Sequence, residues 1–378
     1  MIENKSSNKV TPSTINFNTV IDAYAKTSRP QDAERVLLWM DELSSAMKNE
    51  KDAAAVQPDI ISFNAVIDAW ARVAHSDQTA VQRAVQILEH MGHIVNMQEK
   101  EQHNVKEFKK KKGKMRINLK PDLYTYNTII NAHAKSLTLC TAEDTSKTQA
   151  VIQRANGILH RMRQNNLNPN VRTYTCLMDV YAKSRLPHAP LMAEELLYSM
   201  QKNCGDAGGA VKPNTHTYNA LFNACAFTKG NSHDKSIALD IAMRNYNTML
   251  QLGNHQDEYQ QHSDHRDHNI KPDTYTFTIM LSVVANCIPW DDLLRRHDSC
   301  QSLFEQCCNA GCVNDFVFKK LSQALLLKHN VNDDDSILLS ITGGVKNLRE
   351  APYHWKRNAN KNHTKQRKGK HTHSFHKK

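Results

Sequence analysis

The sequence predicts an all-α protein, a right-handed α-solenoid of helix–turn–helix repeats with long insertions between helices and between repeats. Three observations predict it. An eleven-residue block recurs six times, a second apolar pattern follows each copy, and a Pro-Asp or Pro-Asn turn closes five of the six pairs. Such pairs cannot bury a face alone, so neighbours must stack into a continuous core with an extended concave surface.

The first helix of each pair is read from the block itself. Its copies are NFNTVIDAYAK (16–26), SFNAVIDAWAR (62–72), TYNTIINAHAK (125–135), TYTCLMDVYAK (173–183), TYNALFNACAF (217–227) and TFTIMLSVVAN (276–286). Apolar positions at i, i+3, i+4, i+7 and i+8 fall on one stripe, as in Phe17, Val20, Ile21, Tyr24 and Ala25. The opening residues Asn16, Ser62, Thr125, Thr173, Thr217 and Thr276 are all N-cap types, and each is expected to cap its helix.

The second helix carries an Ala-x-x-Φ-Φ-x-x-Met pattern. It is clear in Ala33, Val36, Leu37 and Met40, and repeats from Ala84, Ala155 and Ala193. The fifth copy (Ala242, Tyr246, Met249) is weaker, and the sixth uses Cys300, Leu303, Phe304 and Cys307. Proline then stops the helix and Asp or Asn suits the tight connection, at Pro58-Asp59, Pro121-Asp122, Pro169-Asn170, Pro213-Asn214 and Pro272-Asp273. The sixth pair ends Gly311-Cys312-Val313-Asn314-Asp315, without proline.

The expected organisation follows. Residues 1–13 are the end of a preceding partial repeat, with no targeting peptide visible. Six repeats occupy 14–59, 60–122, 123–170, 171–214, 215–273 and 274–315. A capping helix spans 316–330, and a basic, disordered tail spans 331–378.

Composition narrows the function. No apolar run is long enough to span a membrane. Nine cysteines without a CxxC pair argue against a disulfide framework. The net charge of +11 is uneven. Residues 345–378 hold eleven Lys or Arg and one acid, Glu350, and residues 106–116 hold seven bases and one acid. Such arms suit polyanions, or are solvated surface. The run His255, His262, His265 and His268 reads as a solvated loop rather than a metal site. Cys300, Cys307, Cys308 and Cys312 read as buried thiols rather than zinc ligands.

The aromatic-Asn opening, the Ala…Met second helix and the Pro-Asp ending, as in NFNTVIDAYAK…AERVLLWM…QPD, fit tetratricopeptide, HEAT and armadillo arrays poorly. They closely resemble the pentatricopeptide repeat family over residues 14–315. The reading residues here are 46, 63, 48, 44 and 59 apart, longer than the family's unit, so the repeats carry insertions.

The resemblance implies one base of single-stranded RNA per repeat, held by two side chains. The pairs are Asn18 with Asp59, Asn64 with Asp122, Asn127 with Asn170, Thr175 with Asn214, Asn219 with Asp273, and Thr278 with Asp315. An ionised Asp only accepts hydrogen bonds and so suits U or G, whose ring nitrogen carries a proton; Asn suits C or A. In the family, Asn as first member favours a pyrimidine and Thr a purine. The implied target is 5′-U-U-(C/U)-A-U-G-3′. Taken singly, these residues are also ordinary capping and turn residues.

The resemblance also places Ile15, Ile61, Tyr124, Arg172, His216 and Tyr275 beside the bases. It sets Lys26, Arg72, Lys135 and Lys183 towards phosphate, although a cation there also complements the helix dipole. It implies a non-enzymatic protein without cofactor or metal, a monomer with no membrane association, in a mitochondrion or plastid. There it would serve transcript stabilisation, processing or translation, with other RNA-processing proteins as further partners. A helical scaffold for proteins, or an adaptor recruiting an enzyme to RNA, is the alternative. No deaminase-type His-x-Glu with paired CxxC is present.

Overall fold

The computed structural model describes residues 12–47, 50–105, 119–141, 144–202, 211–259, 270–325, 338–345 and 347–359. The described elements are all helical. The Lys-rich 106–116 segment, three of the four clustered histidines (262, 265 and 268) and residues 360–378 lie outside them.

Six helix pairs run along the chain. They are α1 (Thr14–Lys26) with α2 (Pro30–Ala46), α4 (Ile60–Val73) with α5 (Ala80–Val105), and α6 (Leu123–Ser136) with α7 (Thr145–Gln164). Then come α8 (Val171–Ser184) with α9 (Ala189–Lys202), α10 (Thr215–Phe227) with α11 (Ser232–Tyr259), and α12 (Thr274–Cys287) with α13 (Leu293–Asn309). The insertions are partly absorbed as helix. A short α3 (Glu50–Val56) packs on α2, and α5 and α11 reach 26 and 28 residues.

The chain divides into two compact units at Val180/Tyr181, within α8. In the first, α1, α4 and α6 pack in succession, with α2, α5 and α7 against them. In the second, α10, α12 and a final helix α14 (Asp315–Leu325) do the same, with α9, α11 and α13 outside. Each unit is thus a stack of hairpins.

Packing follows the apolar stripes. Phe63, Val66, Ile67, Trp70 and Ala71 are all buried, as are Ala84, Ile87, Leu88 and Met91. In α1 only Phe17, Ile21 and Ala25 are; Val20 is exposed, since no described hairpin covers its outer side. Cys300, Cys307, Cys308 and Cys312 are buried, and burial pushes the Cys300 thiol up to about 12.

The helices begin three residues earlier than the Ser/Thr positions imply. The caps are Asp59, Asp122, Asn214 and Asp273, each accepting from the backbone N–H of Ser62, Thr125, Thr217 or Thr276. Asn170 does the same for Thr173 at 3.0 Å. Each hydroxyl in turn receives the cap's own N–H, a reciprocal capping box. A carboxylate or amide three residues upstream reaches this N–H better than the residue's own side chain can. In α1, Asn16 Oδ1 receives both the N–H and the hydroxyl of Ser13.

The region expected to be a disordered tail is partly folded. A short helix α15 covers 338–342, and α16 (Tyr353–Lys356) packs on α13. Trp355 meets Phe304 edge-on at 5.5 Å, and Val313 N–H donates to the Trp355 carbonyl at 2.9 Å. Ile341, Thr342, Ala351 and Ala359 are buried. The apolar side chains among the bases cover the end of α13, which charge and polarity alone do not reveal. Gly311 sits beneath this strap at φ +67°, where a Cβ would meet Arg357 Cγ at 2.5 Å.

Candidate nucleic-acid interface

The residues expected to read bases occupy one position on successive first helices, and Asn18, Asn64 and Asn219 each face the N-cap of the next. In three repeats the pairs are joined. Asn18 Nδ2 donates to Asp59 Oδ1 at 3.2 Å, Asn64 Nδ2 to Asp122 Oδ1 at 3.4 Å, and Asn219 Nδ2 to Asp273 Oδ1 at 3.3 Å. The carbonyl oxygen of each Asn accepts the capping-box hydroxyl: Ser62 at 2.6 Å, Thr125 at 2.6 Å and Thr276 at 2.8 Å. The amide orientation is forced. A carboxylate only accepts, so the NH2 group must face it and the oxygen must face the hydroxyl.

The third repeat differs. Its second member is Asn170, whose Oδ1 is engaged by the Thr173 N–H and hydroxyl, both at 3.0 Å. Among the described residues Asn127 Oδ1 is buried without a partner. Thr175 and Thr278 donate instead to carbonyls one turn back, Val171 and Thr274.

These residues lie deep. Asn64, Asn127 and Asn219 are buried, the last only 2 % exposed, while Asn18, Asp59, Asp122, Asn170, Asn214 and Asp273 are half-buried. The next repeat's capping Asp holds the amide of Asn18, Asn64 and Asn219, so any ligand of these amides must compete with it.

Around this row stands an exposed one. Ile15, Ile61, Tyr124, Arg172, His216 and Tyr275, the second residues of the first helices, all face solvent. Tyr275 Oη accepts from Asn223 at 3.1 Å, and burial together with the Asp68 carboxylate pushes the Tyr124 phenol up.

The cation row is less available than expected. Lys26 pairs with Asp22 at 2.5 Å and Arg72 with Asp68 at 2.7 Å. Lys135 turns its ammonium onto the Ala71 carbonyl at 3.1 Å, and Lys183 is exposed. Acids one turn back on the same helix draw two of these side chains along the helix surface.

Two family models match the chain, a pentatricopeptide repeat domain over residues 110–184 and a PPR repeat over residues 15–42. Both matched segments are pentatricopeptide repeats. No curated protein matches it. Among solved structures it is similar to the pentatricopeptide repeat protein PPR10 from maize, at 17% identity and a TM-score of 0.49, covering 92% of this chain and 37% of that one. It is also similar to PPR10 in complex with an 18-nt psaJ RNA element, at 15% identity and a TM-score of 0.24, covering 94% and 57%. The chain thus spans well under two thirds of those structures' length.

Within this array of helix pairs the sixth pair shifts. Asn314, not Asp315, caps α14, with its Oδ1 accepting from Val317 N–H at 3.0 Å and its carbonyl from Phe318 N–H at 3.1 Å. Asp315 is the exposed first residue of the helix. The cause is the missing proline, which elsewhere marks the register. The same shift reveals two residues the repeat search missed. Phe316, 67 % exposed, continues the exposed row, and Lys319 stands where the other first helices carry Asn or Thr. The Asn-x-x-Val-Phe spacing of 314–318, matching Asp-x-x-Ser-Phe of 59–63, is the signal that could have found them.

Proposed function

We propose that the protein binds single-stranded RNA sequence-selectively, one base per repeat, and acts by occupancy in organelle RNA metabolism. The carrying observation is the Asn–Asp contact across neighbouring repeats, made in both units by the residues the family motif assigns to base reading. With Asn314 as the sixth partner, the target in chain order becomes 5′-U-U-(C/U)-A-U-A-3′. Planar side chains at Tyr124, Arg172, His216, Tyr275 and Phe316 would stack on bases, at about 1–3 kcal/mol each. By occupying a segment the array would shield it or keep it single-stranded, in transcript stabilisation, processing or translation, in a mitochondrion or plastid.

The test is binding of a UUYAUA oligonucleotide, a scrambled one and a duplex across salt. Selectivity for the first, lost in Asn64→Ala, supports the reading. Equal binding to all three reduces it to non-specific phosphate attraction. A second reading, an adaptor that recruits an enzyme, draws support from Trp290, Leu293 and Leu294, exposed at the α12–α13 turn. Its test is co-purification that fails in Trp290→Ser while RNA binding persists.

A further inference from the structure

The eleventh residue of each first helix is a packing residue: Tyr24, Trp70, Tyr181, Cys225 and Val284 hold it in five repeats, and His133 in the third. The preceding second helix presents a residue to it. Trp70 donates its indole N–H to Glu34 at 3.0 Å, and Glu194 fills the matching place on α9, bonded to Asn245 at 2.7 Å and Arg244 at 2.8 Å. On α5 the matching residue is Val85. His133 therefore shares its cleft with Val85 at the place where two sister repeats supply a carboxylate.

Its ring is 2 % exposed, and among the described residues neither ring nitrogen has a hydrogen-bond partner. A buried imidazole left so bears the desolvation penalty of both ring nitrogens without compensation. Burial, helped by the Arg154 charge, pushes its pKa down to about 4, so it is a neutral donor–acceptor pair at pH 7. His133 lines a cleft of about 830 Å³ between α5 and α7, a size suited to small organic ligands. Val85, Val151 and Ile158 give it apolar walls, and a Cβ at Gly157 would meet nothing within 4 Å. Lys147, Arg154 and Arg161 line it against one acid, Glu89, which lies 3.6 Å from Arg161.

We propose that this cleft binds a small organic carboxylate. Its carboxyl group takes, beside His133, the place that Glu34 and Glu194 hold in the sister repeats. Its apolar body lies along Val85, Val151 and Ile158, and the cation-rich wall balances its charge. The site is separate from the base-reading row, which faces the next repeat's caps.

The test uses hexanoate, with hexanol at equal concentration as the uncharged control. Hexanoate is expected to raise the unfolding temperature saturably and to shift the His133 imidazole resonances; hexanol does neither. His133→Phe, which places an aromatic ring where three sister repeats have one, and Val85→Glu, which supplies the internal carboxylate, each weaken hexanoate binding by at least about tenfold. RNA affinity should be unchanged in both. The imidazole shift reads the site in the native sequence should either variant fold poorly. No hexanoate effect on the native protein, an equal effect of hexanol, or equal binding by both folded variants overturns the proposal.

Discussion

Asn18 donates its side-chain amide to Asp59 across 3.2 Å, although 41 residues separate them. Asp59 also accepts the Ser62 N–H at 2.8 Å, so one carboxylate caps a helix and orients Asn18 of the preceding repeat. Asn and Asp are near-equal N-caps, which lets the two roles be separated. Asp59→Asn should leave the thermal midpoint unchanged while the preference for U over C at the first base falls about tenfold. Fluorescence anisotropy with oligonucleotides varied at that base measures it.

The capping-box hydroxyls should also matter for reading. Ser62 donates to Asn18 at 2.6 Å, whereas Thr173 engages Asn170 and not Asn127. Ser62→Ala and Thr173→Ala should each cost about 0.5–1.5 kcal/mol through the lost hydrogen bond. Only Ser62→Ala should relax discrimination at its base, and Ser62→Thr should restore it. Denaturant titration and base-varied binding, run in parallel, check both.

The sixth repeat gives a register test. Asn314→Asp should move the final base preference from A to G, and Asp315→Ala should change neither stability nor preference appreciably. A preference that follows residue 315 would return the pair to the register read from the sequence.

Arg296 should be a stability determinant. It is buried, and its guanidinium serves three carbonyls, Ala324 at 2.7 Å, Ile288 at 2.6 Å and Ala285 at 3.2 Å, tying α12, α13 and α14 together. Arg296→Met keeps the stem but leaves these acceptors unpaired, at about 2–4 kcal/mol. Urea unfolding followed by circular dichroism measures the loss.

His133 should make stability pH-dependent. Its folded pKa, about 4, lies below the ordinary 6.5, so between these values the unfolded chain binds more protons. Stability therefore rises with pH across that window and is level above it, by up to about 3 kcal/mol in all. The charged groups that line the cleft with His133 are Lys147, Arg154, Arg161 and Glu89. His133→Phe should flatten the slope, as read from unfolding midpoints at pH 4.5 to 7.

The hairpins were legible because their periodicity is local: Phe63, Val66, Ile67 and Trp70 must share a side once a helix forms. Helix starts were misplaced by three residues, because Ser62 is a good cap by type and only geometry shows Asp59 reaching its N–H. The docked strap was hidden because Trp355 and Ile341 stand among bases, and their burial depends on α13 and its neighbours.

By itself the sequence determined the all-helical fold, the order of helix pairs and which residues recur at each repeat position, since those depend on spacing along one chain. The tertiary structure decided what those residues meet. It tied Asn18, Asn64 and Asn219 to a neighbour's cap, left Asn127 Oδ1 buried without a partner, and set His133 in one cleft with Val85. Those outcomes depend on how one hairpin sits against the next, and hydrogen bonds made across that distance leave no periodic trace in the chain.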